Sequence, residues 1–210
     1  MQHPVTNFVF DFGAVVFEWD PVKRVQAHFQ GEWYGHTSAQ ALAQSIFGHP
    51  TWHSFDQGLS TLEFVIEKSS ERLRIDPQLL ALFLEPIGED LAPIESSLRV
   101  LETLLKRRQE NRDIKLLYLS NMPAPFARVL ERKHSFLEWF DGGIFSADVR
   151  LAKPDKQIYN LLADQFKLSP ESTVFIDDQA LNIQAAQSLG WSGIHLPAHA
   201  DLAEKIQPFL

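Results

Sequence analysis

Five short apolar runs, rich in β-branched and aromatic residues, recur along this chain at positions 8–11, 114–120, 143–146, 173–177 and 193–196. Each has the length of a strand buried on both faces, and segments of helical period separate most of them. That alternation predicts a parallel sheet with crossover helices, an α/β fold. Ile94, Leu98, Leu101, Leu104 and Leu105 share one helical face, as do Ile158, Leu161 and Leu162, and then Ile183, Ala186 and Leu189 ahead of a C-capping Gly190.

One interval interrupts the alternation. Between the first run and the helix beginning near Pro93 no convincing buried strand occurs, and the residues are rich in Trp, Phe, His and Gln. Ser60-Thr61-Leu62-Glu63 reads as a capping box, and Pro77 opens a further apolar helical stretch reaching Leu84. Residues 18–92 therefore read as a helical subdomain inserted into a core made of residues 1–17 and 93–210.

At 210 residues, with 45% hydrophobic and 22% charged residues, the chain can bury a full core. A net charge of −8 disfavours a nucleic-acid partner, which needs a cationic face. The densest basic cluster, Lys106-Arg107-Arg108, falls at a helix end, where cations suit the dipole and solvent. The absence of cysteine excludes disulfides and thiolate metal sites, and no window approaches the ~20 apolar residues that span a bilayer. A soluble, cytoplasmic protein with neither a nucleic-acid nor a membrane partner is the expectation.

Ligands of open parallel sheets bind beyond the carboxyl ends of the strands. Three of the runs end in chemistry-bearing residues: Asp11, Ser120-Asn121 and Asp177-Asp178. Lys153-Pro154-Asp155 follows a fourth. A carboxylate, a hydroxyl, a lysine and an acidic pair in that order, with Asn182 a helical turn after the last, resemble the haloacid dehalogenase-like hydrolase superfamily. The resemblance covers nearly the whole chain.

It implies a Rossmann-like core with strand 1 at its centre, a helical cap over the site, and Mg²⁺-dependent hydrolysis of a small phosphorylated metabolite. Asp11 would be the nucleophile that becomes an aspartyl-phosphate. Ser120 and the Asn121 backbone N–H would bind the phosphoryl oxygens, and Lys153 would neutralise charge on phosphate and nucleophile. The metal would be held by Asp11, the backbone carbonyl of Gly13 and Asp178, with Asp177 acting on a bound water.

Gly13 breaks the pattern, because most phosphatases of this superfamily carry there an aspartate that protonates the leaving oxygen. An Asp-x-Gly-x-Val motif with a short helical cap resembles the glucose-1-phosphatase-like branch, whose anomeric leaving group needs little protonation. Two other readings stay open: a non-catalytic binding or regulatory protein, and a 2-haloacid dehalogenase, although the latter usually lacks the paired acids. Trp19, Asp20, Trp52, His53, Phe55, Asp56 and Gln57 are candidates for the inner lining of the cap, and His49 or His53 for a replacement acid. His195 and His199 read as a loop rather than a metal pair.

Overall fold

The computed structural model describes residues 4–197 and 200–210. Strand β1 (Asn7–Phe10) is followed by six helices, α1 (Pro21–Phe29), α2 (Ala39–Phe47), α3 (Pro50–Asp56), α4 (Leu62–Leu73), α5 (Pro77–Leu84) and α6 (Ile87–Asp90). Helix α7 (Glu95–Glu110) then leads into β2 (Lys115–Ser120), α8 (Ala124–Lys133), β3 (Gly142–Phe145) and the short α9 (Ser146–Val149). The chain finishes with α10 (Lys156–Phe166), β4 (Thr173–Asp177), α11 (Ala180–Gln187), β5 (Ser192–His195) and α12 (Leu202–Ile206).

The five strands form one parallel sheet in the order β3-β2-β1-β4-β5. All five lie within one residue of the apolar runs. The order places β1 at the centre, where the succession of strands reverses direction, so a crevice opens at the carboxyl ends of β1 and β4. Phe10 pairs with Tyr118 on one side and Ile176 on the other, and the Asp11 amide donates to the Ile176 carbonyl at 2.9 Å. This register sets Asp11 level with Asp177.

Both sheet faces are buried, as near-continuous apolar strands require. Phe8 and Phe10 face a large aromatic core shared with α1 to α8 and α12. Val9, Leu117, Leu119 and Phe175 face a smaller one closed by Ile158, Tyr159 and Leu162 of α10 and Ile183 of α11. Alternation at period two thus divides β1 to β4 between two hydrophobic layers.

The helical segment leaves and rejoins the sheet at adjacent points. The Ile94 amide donates to the Val16 carbonyl and the Glu18 amide to the Ala92 carbonyl, each at 2.8 Å. The buried Ser97 hydroxyl donates to the Val15 carbonyl, fastening α7 to the loop after β1.

Two local expectations shift. The N-cap of α4 is Thr61 rather than Ser60: its hydroxyl accepts from the Phe64 amide, so the Ser-x-x-Glu spacing lies one residue out of register with the helix. The Lys106-Arg107-Arg108 cluster does sit in the last turn of α7, but Arg108 is not merely solvated, because it makes a two-point contact with the Asp141 carboxylate at 2.9 Å.

Candidate active site

Asp11, Ser120, Lys153 and Asp178 all line one cavity of about 570 Å³ at the carboxyl end of the sheet, together with Gly13 and Asn121. Its floor is an ion cluster. The Lys153 ammonium, with a side chain only 1% exposed, lies 2.8 Å from Asp11 Oδ1 and 2.7 Å from Asp177 Oδ2. Asp11 Oδ1 also accepts the Phe12 amide at 2.7 Å, whereas Oδ2 accepts no hydrogen bond among the described residues. One carboxylate oxygen is thereby anchored and the other left for chemistry.

Asp177 is engaged on every side. Its oxygens accept from Lys153, from the Gln179 amide at 2.7 Å and from the Asn182 side-chain amide at 3.0 and 3.1 Å. Asn182 is itself held where Tyr159 donates its hydroxyl to the Asn182 carbonyl at 3.0 Å. So Asp177 is a fixed charge that orients Lys153. The carboxylate of Asp178, half-buried at the rim, accepts among the described residues only from the Gln179 side chain, at 2.5 Å.

The asparagine after Ser120 does something its position in the motif does not advertise. Its side chain clamps the Lys153 backbone at two points: Asn121 Nδ2 donates to the Lys153 carbonyl at 3.0 Å, and the Lys153 amide donates to Asn121 Oδ1 at 2.9 Å. The loop carrying the lysine is therefore tied to the end of β2. Ser120 is buried, lines the cavity, and its hydroxyl has no protein partner among the described residues.

Three carboxylates against one ammonium make an electrostatically tense floor. Burial pushes Asp11 up to about 7 despite the nearby Lys153, and the charges of Asp177 and Asp178 add to the rise. Burial and Asp177 also raise Asp178. Burial would lower Lys153, but Asp11 and Asp177 overcome it and hold the ammonium above its ordinary range. Asp11, Asp177 and Asp178 each present an oxygen, all within 4.8 Å of one another. An all-oxygen set with excess negative charge suits a hard divalent cation.

The roof is mostly apolar: Trp19, Phe47, Trp52, Ile87, Leu91 and Phe126. Of the expected lining residues, Trp19, Trp52, His53, Asp56 and Gln57 face the cavity. Asp20 and Phe55 do not. The Asp20 carboxylate is spent capping α1, accepting from the Val22 and Lys23 amides, and Phe55 is buried against Trp52 and Phe126. Trp52 does both jobs, since its ring also packs on Phe47 at 4.7 Å between centroids.

His49 lies outside the lining, because its Nδ1 accepts the Thr51 amide as the N-cap of α3. His195 bonds the Asp178 backbone carbonyl at 2.9 Å, and His199 falls outside the described residues. Sequence reasoning missed Ser146, whose buried hydroxyl accepts the Met122 amide at 2.9 Å and donates to the Asp56 carbonyl. Nothing in the local pattern marks it, because its two partners come from distant segments.

With parallel sheet, switch-point crevice and Asp/Ser/Lys/Asp-Asp cluster in place, the class of protein is defined by comparison with known families. Residues 23–190 match the haloacid dehalogenase-like hydrolases, and the chain belongs to that family. It is 27% identical over 90% of its length to a sesquiterpene phosphatase of Aspergillus oryzae, covering 88% of that protein. It is 24% identical over 91% of its length to a phosphorylated carbohydrates phosphatase of Thermotoga maritima, covering 85% of it. A HAD family enzyme from Bacteroides thetaiotaomicron, crystallised with magnesium and inorganic phosphate, superposes with a TM-score of 0.69 at 19% identity, over 95% of this chain and 98% of that one. No helix among the described residues is long and apolar enough to cross a membrane.

Proposed function

We propose that the protein is a Mg²⁺-dependent phosphatase that hydrolyses a small phosphomonoester through an aspartyl-phosphate on Asp11. The observation carrying this reading is the asymmetry of the Asp11 carboxylate. Oδ1 is held by Lys153 and the Phe12 amide, while Oδ2 accepts no hydrogen bond among the described residues, and Asp11 lines a cavity alongside Ser120 and Asn121.

Oδ2 attacks phosphorus, the ester P–O bond breaks, and water then releases phosphate from the acyl-phosphate. The Ser120 hydroxyl and the Asn121 backbone N–H bind the phosphoryl oxygens, and Lys153 balances charge on both phosphate and Asp11. A point cation suits this task better than a planar fork. Mg²⁺ would be held by Asp11, Asp178 and the Gly13 carbonyl, with Asp177 supporting it from behind, and when bound it supplies further neutralisation of the transferring group. The magnesium and phosphate in the structurally similar Bacteroides enzyme, and the phosphatase names of the two relatives, point the same way.

The helices of residues 18–92 act as the cap. Their aromatic wall suits a carbon skeleton, either an apolar leaving group or the apolar face of a sugar ring. A 2-haloacid substrate fits less well: its carboxylate would face the three aspartates, and no arginine among the described residues lines the cavity to pair with it. The test is Mg²⁺-dependent release of p-nitrophenol from p-nitrophenyl phosphate, lost in Asp11→Asn. Inertness of the wild type across a panel of phosphate esters with Mg²⁺ present would favour a non-catalytic binding protein.

A further inference from the structure

At Gly13 there is no side chain to protonate a leaving oxygen, and chemical demand for one persists whenever the leaving group is an ordinary alcohol. The cavity contains another carboxyl group placed for that task. Asp56, at the C-terminal end of α3, lines the same cavity as Asp11 and Gly13 but comes from the roof. Its carboxyl makes no hydrogen bond and no ion pair among the described residues, unlike the other aspartates of the floor.

The Asp56 backbone is fixed relative to the floor. Ser146 donates to its carbonyl and at the same time accepts from Met122, two residues beyond Ser120. Two residues past Asp56, Gly58 has a φ of +65°, and a Cβ there would come within 2.6 Å of the Ala147 carbonyl oxygen. Only glycine lets the end of α3 press against α9 so closely. The backbone that carries the roof carboxyl is thus tied to the β2 and β3 ends of the sheet.

We infer that Asp56 is the general acid and base of this enzyme, delivered from the roof in place of the side chain absent at Gly13. The inference rests on the phosphatase reading above. As Asp11 Oδ2 bonds to phosphorus and the P–O bond to the leaving group breaks, the Asp56 carboxyl gives its proton to the departing oxygen, yielding alcohol and an Asp56 carboxylate. That carboxylate then takes a proton from the water that attacks phosphorus. The P–O bond to Asp11 breaks, phosphate leaves, and both aspartates return to their starting forms.

The surroundings favour a protonated Asp56 at rest. Burial and the Asp11 charge raise its carboxyl well above the ordinary range, and Lys153 opposes them only in part. Asp178, Asp155 and His53 are the other titratable groups on the cavity wall.

Acid catalysis predicts selective damage. Asp56→Asn, a near-isosteric change, loses about 10²–10⁴-fold in kcat/KM on alkyl phosphates. On p-nitrophenyl phosphate, whose leaving group needs no proton, kcat/KM stays within a few-fold of wild type while kcat falls, because hydrolysis of the phosphoenzyme has lost its base. Equal loss of kcat/KM on both substrates, or a rise in KM alone, assigns Asp56 to packing or substrate binding and overturns the inference. A second measurement needs no variant: across a series of aryl and alkyl phosphates, wild-type kcat/KM depends weakly on leaving-group basicity if an acid acts, and a steep dependence contradicts it. Absence of all phosphate-ester hydrolysis by the wild type would sink the phosphatase reading as well, whereas an active enzyme with an indiscriminate Asp56→Asn defect sinks only this one.

Discussion

The floor and roof of the cavity are built on opposite principles. The floor sets Asp11 and Asp177 at the ends of neighbouring parallel strands and Lys153 on a loop clamped to β2, each charge held by two or more partners. The roof places aromatic rings largely on helices, with Asp56, Gln57 and His53 beside them among the described residues. Fixed charge is what phosphoryl transfer demands, because its catalysis is largely positioning and electrostatics. Adaptable apolar surface is what choice of leaving group demands. On the proposed phosphatase reading, phosphoryl transfer belongs to the floor and choice of leaving group to the helices.

Variants on the two sides should therefore fail differently. The largest effect belongs to the floor: Asp11→Asn should abolish turnover by at least about 10⁴-fold, the scale seen when a nucleophile is removed, as measured by phosphate release. Lys153→Met comes next, since it strands Asp11 and Asp177 without their counter-ion. We expect loss of activity together with about 3–5 kcal/mol of stability in denaturant unfolding, and a fully stable variant would show that the floor is not held together by its charges.

Asn121→Ala should be milder, because it removes the clamp on the Lys153 backbone but no charge. A loss of about 10–100-fold in kcat is expected, the range for residues that orient a catalytic group, and an unchanged kcat would mean that the loop holds Lys153 unaided. Trp19→Ala, on the roof, should change KM across substrates more than kcat on p-nitrophenyl phosphate. An equal effect on every substrate would erase the distinction between floor and roof.

The pH dependence of stability probes the floor through Asp11. Asp11 is raised in the fold, so its contribution to stability is fully present below its ordinary range near 3.8 and is lost as pH rises through about 7. The metal-free protein should thus be more stable against Asp11 ionisation at pH 5 than at pH 8, and Asp11→Asn should unfold at higher temperature than the wild type at pH 8 while being inactive. Calorimetry at both pH values checks this, and Mg²⁺ should narrow the gap in the wild type alone.

Most of the floor was legible in the sequence and the roof in part: Trp19, Trp52, His53, Asp56 and Gln57 could be named as lining, whereas Phe47, Ile87, Leu91 and Phe126 could not. Asp11, Ser120, Lys153 and Asp177-Asp178 each terminate or follow an apolar run, so strand period and chain order suffice to gather them. The structure brings all of them to one crevice. The Asn121 clamp was invisible because its partner is the backbone of residue 153, and backbone partners leave no mark on residue type. On the roof, the aromatic content near Trp52 and Phe55 could not say which ring faces the cavity: Trp52 reaches it while Phe55 is buried behind. Asp56 was visible as a lining candidate, but its place over the floor follows from α3 docking on α9 through Ser146, a contact 90 residues apart in sequence.

The central claim, that the unanchored oxygen of Asp11 takes the phosphoryl group, can be tested by rapid acid quench during turnover of p-nitrophenyl phosphate with Mg²⁺, followed by mass spectrometry of the digested protein. An acid-stable, base-labile phosphoryl adduct on the peptide carrying Asp11, absent from Asp11→Asn, is the predicted result. A phosphoryl group on another residue, or undiminished turnover by Asp11→Asn, would contradict it.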